Sequence, residues 1–264
     1  MSSKKRIFIK IGGSFITDKS TPDSFKEDRV RAIAKAIYKW RTIEDLDIVL
    51  AHGAGAYGHI KAKLYNAQNG IHPEFGWRAF YEIRRDMTQM NLTFVQICTE
   101  QKLFPITIQP SAIMTASNGE VKRLDSAVIT RLLDLGQIPV LHGDIVVDDT
   151  QGFTIASTED ILTALVDDLH FDSVMMMSDV PGVLDDRGEV IPEINPENYD
   201  EIMMHLKGAK GADVTGGMRG KVLQLYQLIR AGKFDTARII SSDDNPQFLL
   251  DVLTGSRQAG TIIR

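Results

Sequence analysis

The first residues that could do chemistry form a cluster of glycines and lysines near the start of the chain. They are Lys10, Gly12, Gly13, Ser14 and Lys19. Glycines let backbone N–H groups come close to a ligand, and lysines add positive charge, so the cluster suits a phosphate. It is not a Walker A loop, because Asp18 stands where that motif needs its second glycine. A tight turn with two solvated lysines is the simpler alternative for this segment taken alone.

A second glycine cluster occupies residues 53–58, which match the pattern G-x-G-x-x-G. A dinucleotide site also needs a following helix and a strand that ends in an acidic residue, and residues 69–73 interrupt that order. An oxidoreductase is therefore a distant alternative. The glycines still predict an anion-binding turn at a helix start, where His59 could donate a hydrogen bond to a phosphate oxygen. His52 is predicted to be structural.

A third segment combines carboxylates on either side of a predicted hairpin. Asp144 follows an apolar run, and a carboxylate in that position can orient lysines or hold a magnesium-nucleotide. Beyond the hairpin, Ser157 or Thr158 is predicted to cap a helix. Glu159 and Asp160 then lie in its first turn, where helix capping alone explains them.

The fourth segment lies toward the end of the chain. Asp179 ends a predicted strand, and residues 213–217 lead into a helix that contains Lys221. Lys221 lies one turn into that helix, so its ammonium group can reach back over the helix N-terminus, where a phosphate is also favoured. A loop with a solvated lysine is the alternative for this segment alone.

Apolar patterns place these segments at the ends of strands or the starts of helices. Short apolar runs predict strands at 6–11, 46–51, 105–109, 138–141, 173–177, 237–240 and 261–263, and a hairpin from 145–147 to 153–155. Helical spacing predicts helices at 28–40, 75–101 with one possible break, 125–135, 158–169 and 218–231. This alternation indicates an α/β fold with a mainly parallel sheet between helices, whose ligands bind at the carboxyl ends of the strands.

Composition limits the class of protein. The 264 residues are enough for one large domain or two small lobes. A net charge of -5 gives no support to a nucleic-acid partner. Cys98 is the only cysteine and is predicted to lie in the core, so disulfides within the chain and cysteine-based zinc sites are excluded. The apolar run after the basic N-terminus is too short for a signal sequence or a membrane span, so no membrane partner and a cytoplasmic location are expected.

The order and spacing of these segments resemble those of the amino acid kinase family over nearly the whole chain. Within that family, the sequence is most similar to the isopentenyl phosphate kinases of archaea. The shared marks are Lys10-x-Gly-Gly-Ser, Ile16-Thr17-Asp18-Lys19, Gly55-Ala56-Tyr57-Gly58-His59, Gly143-Asp144, Ser178-Asp179-Val180-x-Gly182-Val183, Asp213-Val214-Thr215-Gly216-Gly217-Met218 with Lys221, and Gly260-Thr261-Ile262-Ile263-Arg264.

The resemblance implies a three-layer αβα sandwich with a mainly parallel open sheet, formed by residues 1–264 as one kinase domain. An N-terminal lobe, to about residue 170, would bind the acceptor, the rest would bind ATP, and the chain would form a homodimer. The implied ATP-binding residues are Lys10, Gly12, Gly13, Ser14, Gly55, Asp179, Gly217 and Lys221. The implied acceptor-binding residues are Ala54, His59 and Thr158. The implied activity is the ATP-dependent phosphorylation of isopentenyl phosphate to isopentenyl diphosphate, an isoprenoid precursor.

Four positions, 54, 56, 158 and 159, depart from that family's usual residues. Ala54 and Ala56 replace a glycine and a serine, and both are small enough to keep a backbone N–H contact. Thr158 adds bulk beside the acceptor, because the usual Ser-Gly-Asp-Asp is here Ser-Thr-Glu-Asp. A phosphonate kinase of the fosfomycin-resistance type and a non-catalytic nucleotide-binding protein are the nearest alternatives.

The expected chemistry is in-line transfer without a covalent enzyme intermediate. The acceptor phosphate is ionised near neutral pH, so no general base is needed, and catalysis becomes positioning plus charge neutralisation. We expect Lys10 and Lys221 to stabilise the transferring group and Lys19 to support the β–γ region of ATP. Asp144 or Asp160 is expected to orient the lysines. Mg²⁺ would arrive with the nucleotide, and the protein is predicted to have no metal site of its own.

An apolar acceptor tail could lie along the long helix predicted near the middle of the chain. The aromatic and aliphatic side chains concerned are Phe75, Trp77, Phe80, Tyr81 and Ile83. Such a stripe is more often part of a core than of a pocket, so a core position is the alternative.

Overall fold

The computed structural model describes residues 4–18, 21, 24–208, 217–242 and 244–264. Within them the strands are β1 (Lys5–Ile11), β2 (Leu46–His52), β3 (Pro105–Thr107), β4 (Met114–Ser117), β5 (Glu120–Leu124), β6 (Ile138–His142), β7 (Asp144–Asp148), β8 (Gly152–Ala156), β9 (Phe171–Met177), β10 (Glu193–Ile194), β11 (Phe234–Ile240) and β12 (Thr261–Ile263). The α-helices are α1 (Gly13–Ile16), α2 (Glu27–Ile43), α3 (Gly55–Leu64), α4 (Arg78–Glu100), α5 (Pro110–Ile113), α6 (Ala127–Asp134), α7 (Thr158–Leu165), α8 (Tyr199–Gly208), α9 (Gly217–Arg230) and α10 (Pro246–Leu253).

Eight strands form one sheet in the order β10-β12-β11-β9-β1-β2-β6-β3. Neighbouring strands are parallel except β11 and β12, which are antiparallel. β1 lies near the middle, between β9 and β2. The carboxyl ends of β9, β1, β2 and β6 therefore meet at one edge of the sheet, where ligands of parallel sheets bind.

A second, four-stranded sheet has the order β5-β4-β7-β8. It joins the first sheet through Gly143, the single residue between β6 and β7. The β4–β5 hairpin turns at Asn118 and Gly119, whose φ angles are 55° and 79°. Positive φ at both central residues is what a tight hairpin turn requires, and Asn-Gly suits it.

Helices cover both faces of the main sheet, which makes a three-layer αβα sandwich and confirms the predicted fold class. In β1, Ile9 belongs to the apolar core that includes α2, α4 and α10, whereas Phe8 belongs to the core that includes α6, α7 and α9. Burial on both faces is why this strand is a nearly continuous apolar run. Cys98 is buried in the first of these cores, as predicted. None of the described helices combines the length and apolarity that a bilayer span requires.

The predicted elements are confirmed with small differences. α4 is unbroken over 23 residues, because its interior contains neither proline nor glycine. α7 ends at Leu165, four residues before the predicted end. The β4–β5 hairpin, β10, α1, α5, α8 and α10 are not among the predicted elements.

Candidate active site

A cleft of about 420 Å³ opens at the carboxyl edge of the main sheet. Most of the predicted site residues line it, although they come from segments far apart in the sequence. They are Lys10, Gly12, Gly13, Ser14, Ala54, His59, Asp144, Thr158 and Lys221. The parallel topology brings them together, because each lies near the end of a strand or in the first two turns of a helix at the same edge.

The two glycine turns pack directly against each other beside this cleft. A Cβ atom built on Gly53 would lie 2.6 Å from the amide nitrogen of Gly13, and one built on Gly13 would collide with the backbone of Gly55. Gly55 also has a φ of +50°, which favours glycine. The sequence predicts that glycine is needed at these positions so that the backbone can approach a ligand. Glycine is also needed because the two turns approach each other closely, and this packing accounts for the buried position of Gly55.

Thr17 joins the same two turns, and sequence reasoning did not single it out as a positioning residue. Its hydroxyl donates a 2.8 Å hydrogen bond to the Gly13 carbonyl and accepts one of 3.0 Å from the amide of Ala56. The side chain is 1% exposed. A buried threonine whose hydroxyl serves both turns fixes their relative position, which sets the shape of this wall of the cleft.

Several backbone donors at these turns remain available. The first N–H groups of a helix have no partner within the helix, and α1 and α3 begin at Gly13 and Gly55. Across the described ranges, the amide groups of Gly13, Ser14 and Ala54 donate to no protein acceptor. Such groups can serve an anion in the cleft.

Lys10 forms a buried ion pair with Glu159, the second residue of α7. The lysine is 7% exposed. Burial alone would favour the neutral carboxyl, but the positive charges of Lys10 and Lys221 outweigh it and hold the pKa of Glu159 below its usual range. Lys221 is therefore close enough to act electrostatically on this pair.

The orienting carboxylate differs from the prediction. Asp160 is engaged in the capping box of α7, where its side chain accepts hydrogen bonds from the backbone and hydroxyl of Ser157. Asp144 accepts from the side chain of Gln109 and from the amides of Ser111 and Ile145. Neither forms an ion pair with a lysine among the described residues. Glu159, for which the sequence predicts only a helix-capping role, supplies that contact instead.

The residues predicted to bind the nucleotide do not all lie at the cleft. Lys221 lies in the second turn of α9, and Gln224 docks this helix on α7 by donating to the Glu159 carbonyl at 3.2 Å. Gly217 begins α9 with a φ of +52°. Asp179 is exposed, accepts a 3.3 Å hydrogen bond from Ser178 and does not line the cleft. Lys19 and residues 213–216 lie outside the described residues.

The three residues predicted to bind the acceptor all line the cleft. Ala54 immediately precedes α3, His59 lies in its second turn, and both line the cleft. Thr158 is 2% exposed, lines the cleft and donates a 3.2 Å hydrogen bond to the carboxylate of Glu159. The bulk that Thr158 adds is therefore packed beside the Lys10–Glu159 ion pair.

The apolar part of the cleft differs from the predicted stripe. Of the five side chains in that stripe, only Ile83 lines the cleft, where Met87 and Ile155 join it. Trp77 is 53% exposed and its ring lies 5.7 Å from that of Phe153. The stripe is divided because Phe75 and Trp77 precede α4, and because side chains at neighbouring positions within α4 point to different sides of the helix.

The residues of the cleft fit a phosphate-bearing nucleotide, since two lysines and unpaired backbone donors are what phosphate groups need. No cluster of three or more His, Cys, Asp or Glu side chains is placed to hold a metal ion in the part of the chain that the structure describes.

Comparisons with known proteins agree with this geometry. The model of the amino acid kinase family matches residues 5–241. The isopentenyl phosphate kinase of Methanocaldococcus jannaschii is 35% identical over 224 residues, which cover 81% of this chain and 84% of that protein. The isopentenyl phosphate kinase of Haloferax volcanii is 34% identical over 223 residues, which cover 84% and 88%. Among solved structures, the isopentenyl phosphate kinase of T. acidophilum superposes with a TM-score of 0.77 at 26% identity, covering 98% of this chain and 100% of that chain.

Proposed function

The chain belongs to the amino acid kinase family, and we propose that it transfers the γ-phosphoryl group of ATP to the phosphate group of isopentenyl phosphate. The observation that carries this proposal is a single cleft lined both by Lys10 and Lys221 and by His59. A kinase whose acceptor is itself a phosphate must bring two anions together. Cationic and N–H donors from several elements lower the cost of doing so.

The proposed nucleotide contacts follow from the elements beside β1. Lys10 and the amides of Gly13 and Ser14 bind phosphate oxygens of ATP, and Gly12 leaves room for them. Lys221 lies on the transferring group, and Gly55 approaches it through its backbone. Asp179 and Gly217 serve the nucleotide from the C-terminal part, and Lys19 supports the β–γ region.

The proposed acceptor contacts lie around the start of α3. His59 and the Ala54 amide bind the phosphate of the acceptor, and Thr158 closes that side of the cleft. The short apolar surface of Ile83, Met87 and Ile155 suits the hydrocarbon tail of isopentenyl phosphate. This replaces the longer aromatic stripe that the sequence suggested.

In the proposed mechanism, an oxygen of the acceptor phosphate attacks the γ-phosphorus in line, and the P–O bond to the β-phosphate breaks. The attacking oxygen is already ionised, so none of the protein's side chains has to remove a proton. Lys10 and Lys221 neutralise charge on the transferring group, and Glu159 holds the Lys10 ammonium in place. Magnesium, carried by the nucleotide, supplies further charge neutralisation.

Several wider features belong to the same proposal. Residues to about 170 form the lobe that holds the acceptor, and residues from 171 form the lobe that holds the nucleotide, whose phosphates also reach Lys10, Gly13 and Ser14. The protein works as a cytoplasmic homodimer. Three apolar side chains at the β3 edge of the main sheet, Leu92, Phe104 and Ile106, are 58%, 64% and 39% exposed. An open strand edge with exposed apolar groups favours association with a second copy.

An ATP-coupled assay with four acceptor conditions tests the function. Three reactions contain isopentenyl phosphate, isopentenol or fosfomycin, and the fourth contains no acceptor. We expect rapid ADP release only with isopentenyl phosphate, because isopentenol lacks the anion that His59 binds. Preference for fosfomycin would identify a phosphonate kinase instead. ATP consumption that no phosphate-bearing acceptor stimulates would favour a nucleotide-binding protein without transfer activity.

A further inference from the structure

Two buried histidines lie side by side beneath the floor of the cleft. His52 ends β2 and His142 ends β6, and the two residues pair in register. Both are 0% exposed, and their rings stack with centroids 5.4 Å apart. Neither lines the cleft, but each precedes a glycine that does, Gly53 or Gly143.

Each imidazole faces the carbonyl oxygen of the glycine that follows it. The Nδ1 atom of His142 lies 3.0 Å from the Gly143 oxygen, and that of His52 lies 3.2 Å from the Gly53 oxygen. A carbonyl oxygen only accepts hydrogen bonds, so these contacts require the ring proton on Nδ1. The opposite nitrogen of His142, Nε2, is buried and has no hydrogen-bond partner in the described part of the chain.

The second contact of His52 is compatible with the same tautomer. Its Nε2 lies 3.1 Å from Oδ1 of the Asn91 side-chain amide, whose Nδ2 lies 2.7 Å from the hydroxyl oxygen of Thr107. Rotation of that amide by 180° lets its nitrogen donate to Nε2 and its oxygen accept from Thr107. Both imidazoles are then neutral, which agrees with their burial. Burial lowers the pKa of His52 to about 3 and that of His142 to about 4.

The direction of these carbonyl groups matters to an anion in the cleft. A carbonyl oxygen turned into the cleft would repel a phosphate, whereas one that accepts from a buried imidazole is turned away from it. In a trans peptide the C=O and N–H bonds point to opposite sides. Holding the Gly53 carbonyl toward His52 therefore directs the Ala54 N–H away from the histidine, and this amide has no protein acceptor among the described residues.

We propose that His142 and His52 are positioning residues for the acceptor phosphate, which hold the carbonyl groups of Gly143 and Gly53 away from the cleft through Nδ1–H hydrogen bonds. Neither touches the substrate. A leucine or phenylalanine would fill the same space but leave the glycine carbonyl without a donor. The proposal rests on the proposed function, because it concerns the anion that the cleft receives.

Two matched substitutions separate this role from simple packing. Asparagine and leucine have similar size, but only the side-chain nitrogen of asparagine can occupy the place of Nδ1 and donate to the same carbonyl. We expect His142→Leu to raise KM for isopentenyl phosphate tenfold or more while KM for ATP changes less than twofold. We expect His142→Asn to recover most of that loss. The proposal would be overturned if folded His142→Leu and His142→Asn showed the same rise in KM for isopentenyl phosphate. An unchanged KM in His142→Leu would overturn it as well.

The tautomer can be read directly in the unmodified protein, even where the leucine variant fails to fold. Nitrogen-15 NMR of histidine-labelled protein at pH 7 should show both buried rings neutral with the proton on Nδ1, with signals assigned through His142→Asn and His52→Asn. A proton on Nε2 of His142 would refute the proposal. If the wild-type protein does not phosphorylate isopentenyl phosphate, the proposed function fails, whereas the NMR result still reports on the hydrogen bonds.

Discussion

Lys10 and Glu159, 149 residues apart in the sequence, form an ion pair inside the cleft. Lys10 comes from the central strand β1 and Glu159 from the first turn of α7, so the pair links the main sheet to the helix that follows the second sheet. A lysine held in this way keeps its ammonium group fixed without a bound nucleotide. Preorganised charge of this kind accelerates transfer more than a mobile side chain does.

Glu159→Gln should reduce kcat by about 10²-fold, because Lys10 loses the charge that orients it. Glu159→Asp keeps the charge on a shorter side chain, so we expect an intermediate rate. Steady-state kinetics with saturating ATP, together with thermal unfolding to establish that both variants are folded, checks this. A folded Glu159→Gln protein with kcat within threefold of wild type would show that the ion pair has no catalytic importance.

Lys221→Ala should lower kcat by about 10³-fold or more while the fold remains intact, because the transferring group loses one of its two cations. Lys233→Ala is a suitable control. Lys233 pairs with Asp167 at 2.8 Å, away from the cleft, so its removal should leave the rate unchanged. Full activity of Lys221→Ala would contradict the placement of ATP beside α9.

His59→Ala should reduce kcat/KM for isopentenyl phosphate by about 10²-fold, the scale of a lost hydrogen bond to a charged group. KM for ATP should change little. His59→Gln retains an N–H donor and should recover part of the loss. If kcat/KM for isopentenyl phosphate is nearly unchanged in His59→Ala, His59 does not bind the acceptor phosphate.

Asp148→Asn should lower the free energy of unfolding by about 2–4 kcal/mol. The Asp148 carboxylate accepts from the amides of Asn118, Gly119, Thr150 and Gln151 and from the Thr150 hydroxyl, so it ties together the two hairpin turns of the second sheet. Burial would raise the pKa of Asp148, but these donors outweigh it and hold the pKa well below its usual range.

The adjacent residue Asp149 is exposed and provides the control. Urea unfolding of Asp149→Asn should give the stability of the wild type within about 0.5 kcal/mol. If both variants unfold at the same urea concentration, the carboxylate of Asp148 does not join the hairpins as described.

Stability should fall in mild acid because of the two buried histidines. Burial is the main cause of their lowered pKa values, which are about 3 for His52 and about 4 for His142. His142 lowers the pKa of His52 further, and Arg84 lowers the pKa of His142 further. Unfolded histidine takes up a proton near pH 6.5, so below that pH the unfolded state binds more protons. The stability present above pH 6.5 is then lost at about 1.4 kcal/mol per pH unit for each histidine, or about 2 kcal/mol each at pH 5.

Denaturant unfolding at pH 7, 6 and 5 measures this slope. His142→Asn should make the decline shallower, since asparagine does not titrate. His170→Asn, which removes an imidazole at an exposed position, is the control for the substitution itself. A stability that does not change between pH 7 and pH 5 would mean that the two imidazoles are not held neutral.

The sequence predicts the fold, and most of the residues that it predicts for the site line the cleft, because both depend on local patterns. Apolar runs identify the strands, and parallel strands bring their carboxyl ends to one edge, so Lys10, His59 and Lys221 converge. The β4–β5 hairpin was missed although it carried a usable signal. Asn118-Gly119 between two short alternating segments is typical of a tight hairpin turn.

The parts that sequence reasoning missed depend on tertiary packing. Three carboxylates, Asp144, Glu159 and Asp160, lie near the same loops, and local rules assign Glu159 to helix capping. Which of them meets Lys10 depends on how α7 sits against β1. Likewise, Gly13 and Gly55 had to be glycines partly because the two turns touch, which spacing along the chain does not reveal.

The most direct test of the central claim is phosphorus-31 NMR of a reaction that contains the protein, Mg-ATP and isopentenyl phosphate. We predict that the acceptor's single phosphate resonance is replaced by the two coupled resonances of a diphosphate ester, with ADP formed in equal amount. ADP and inorganic phosphate without a new diphosphate, or an unchanged spectrum, would contradict the account.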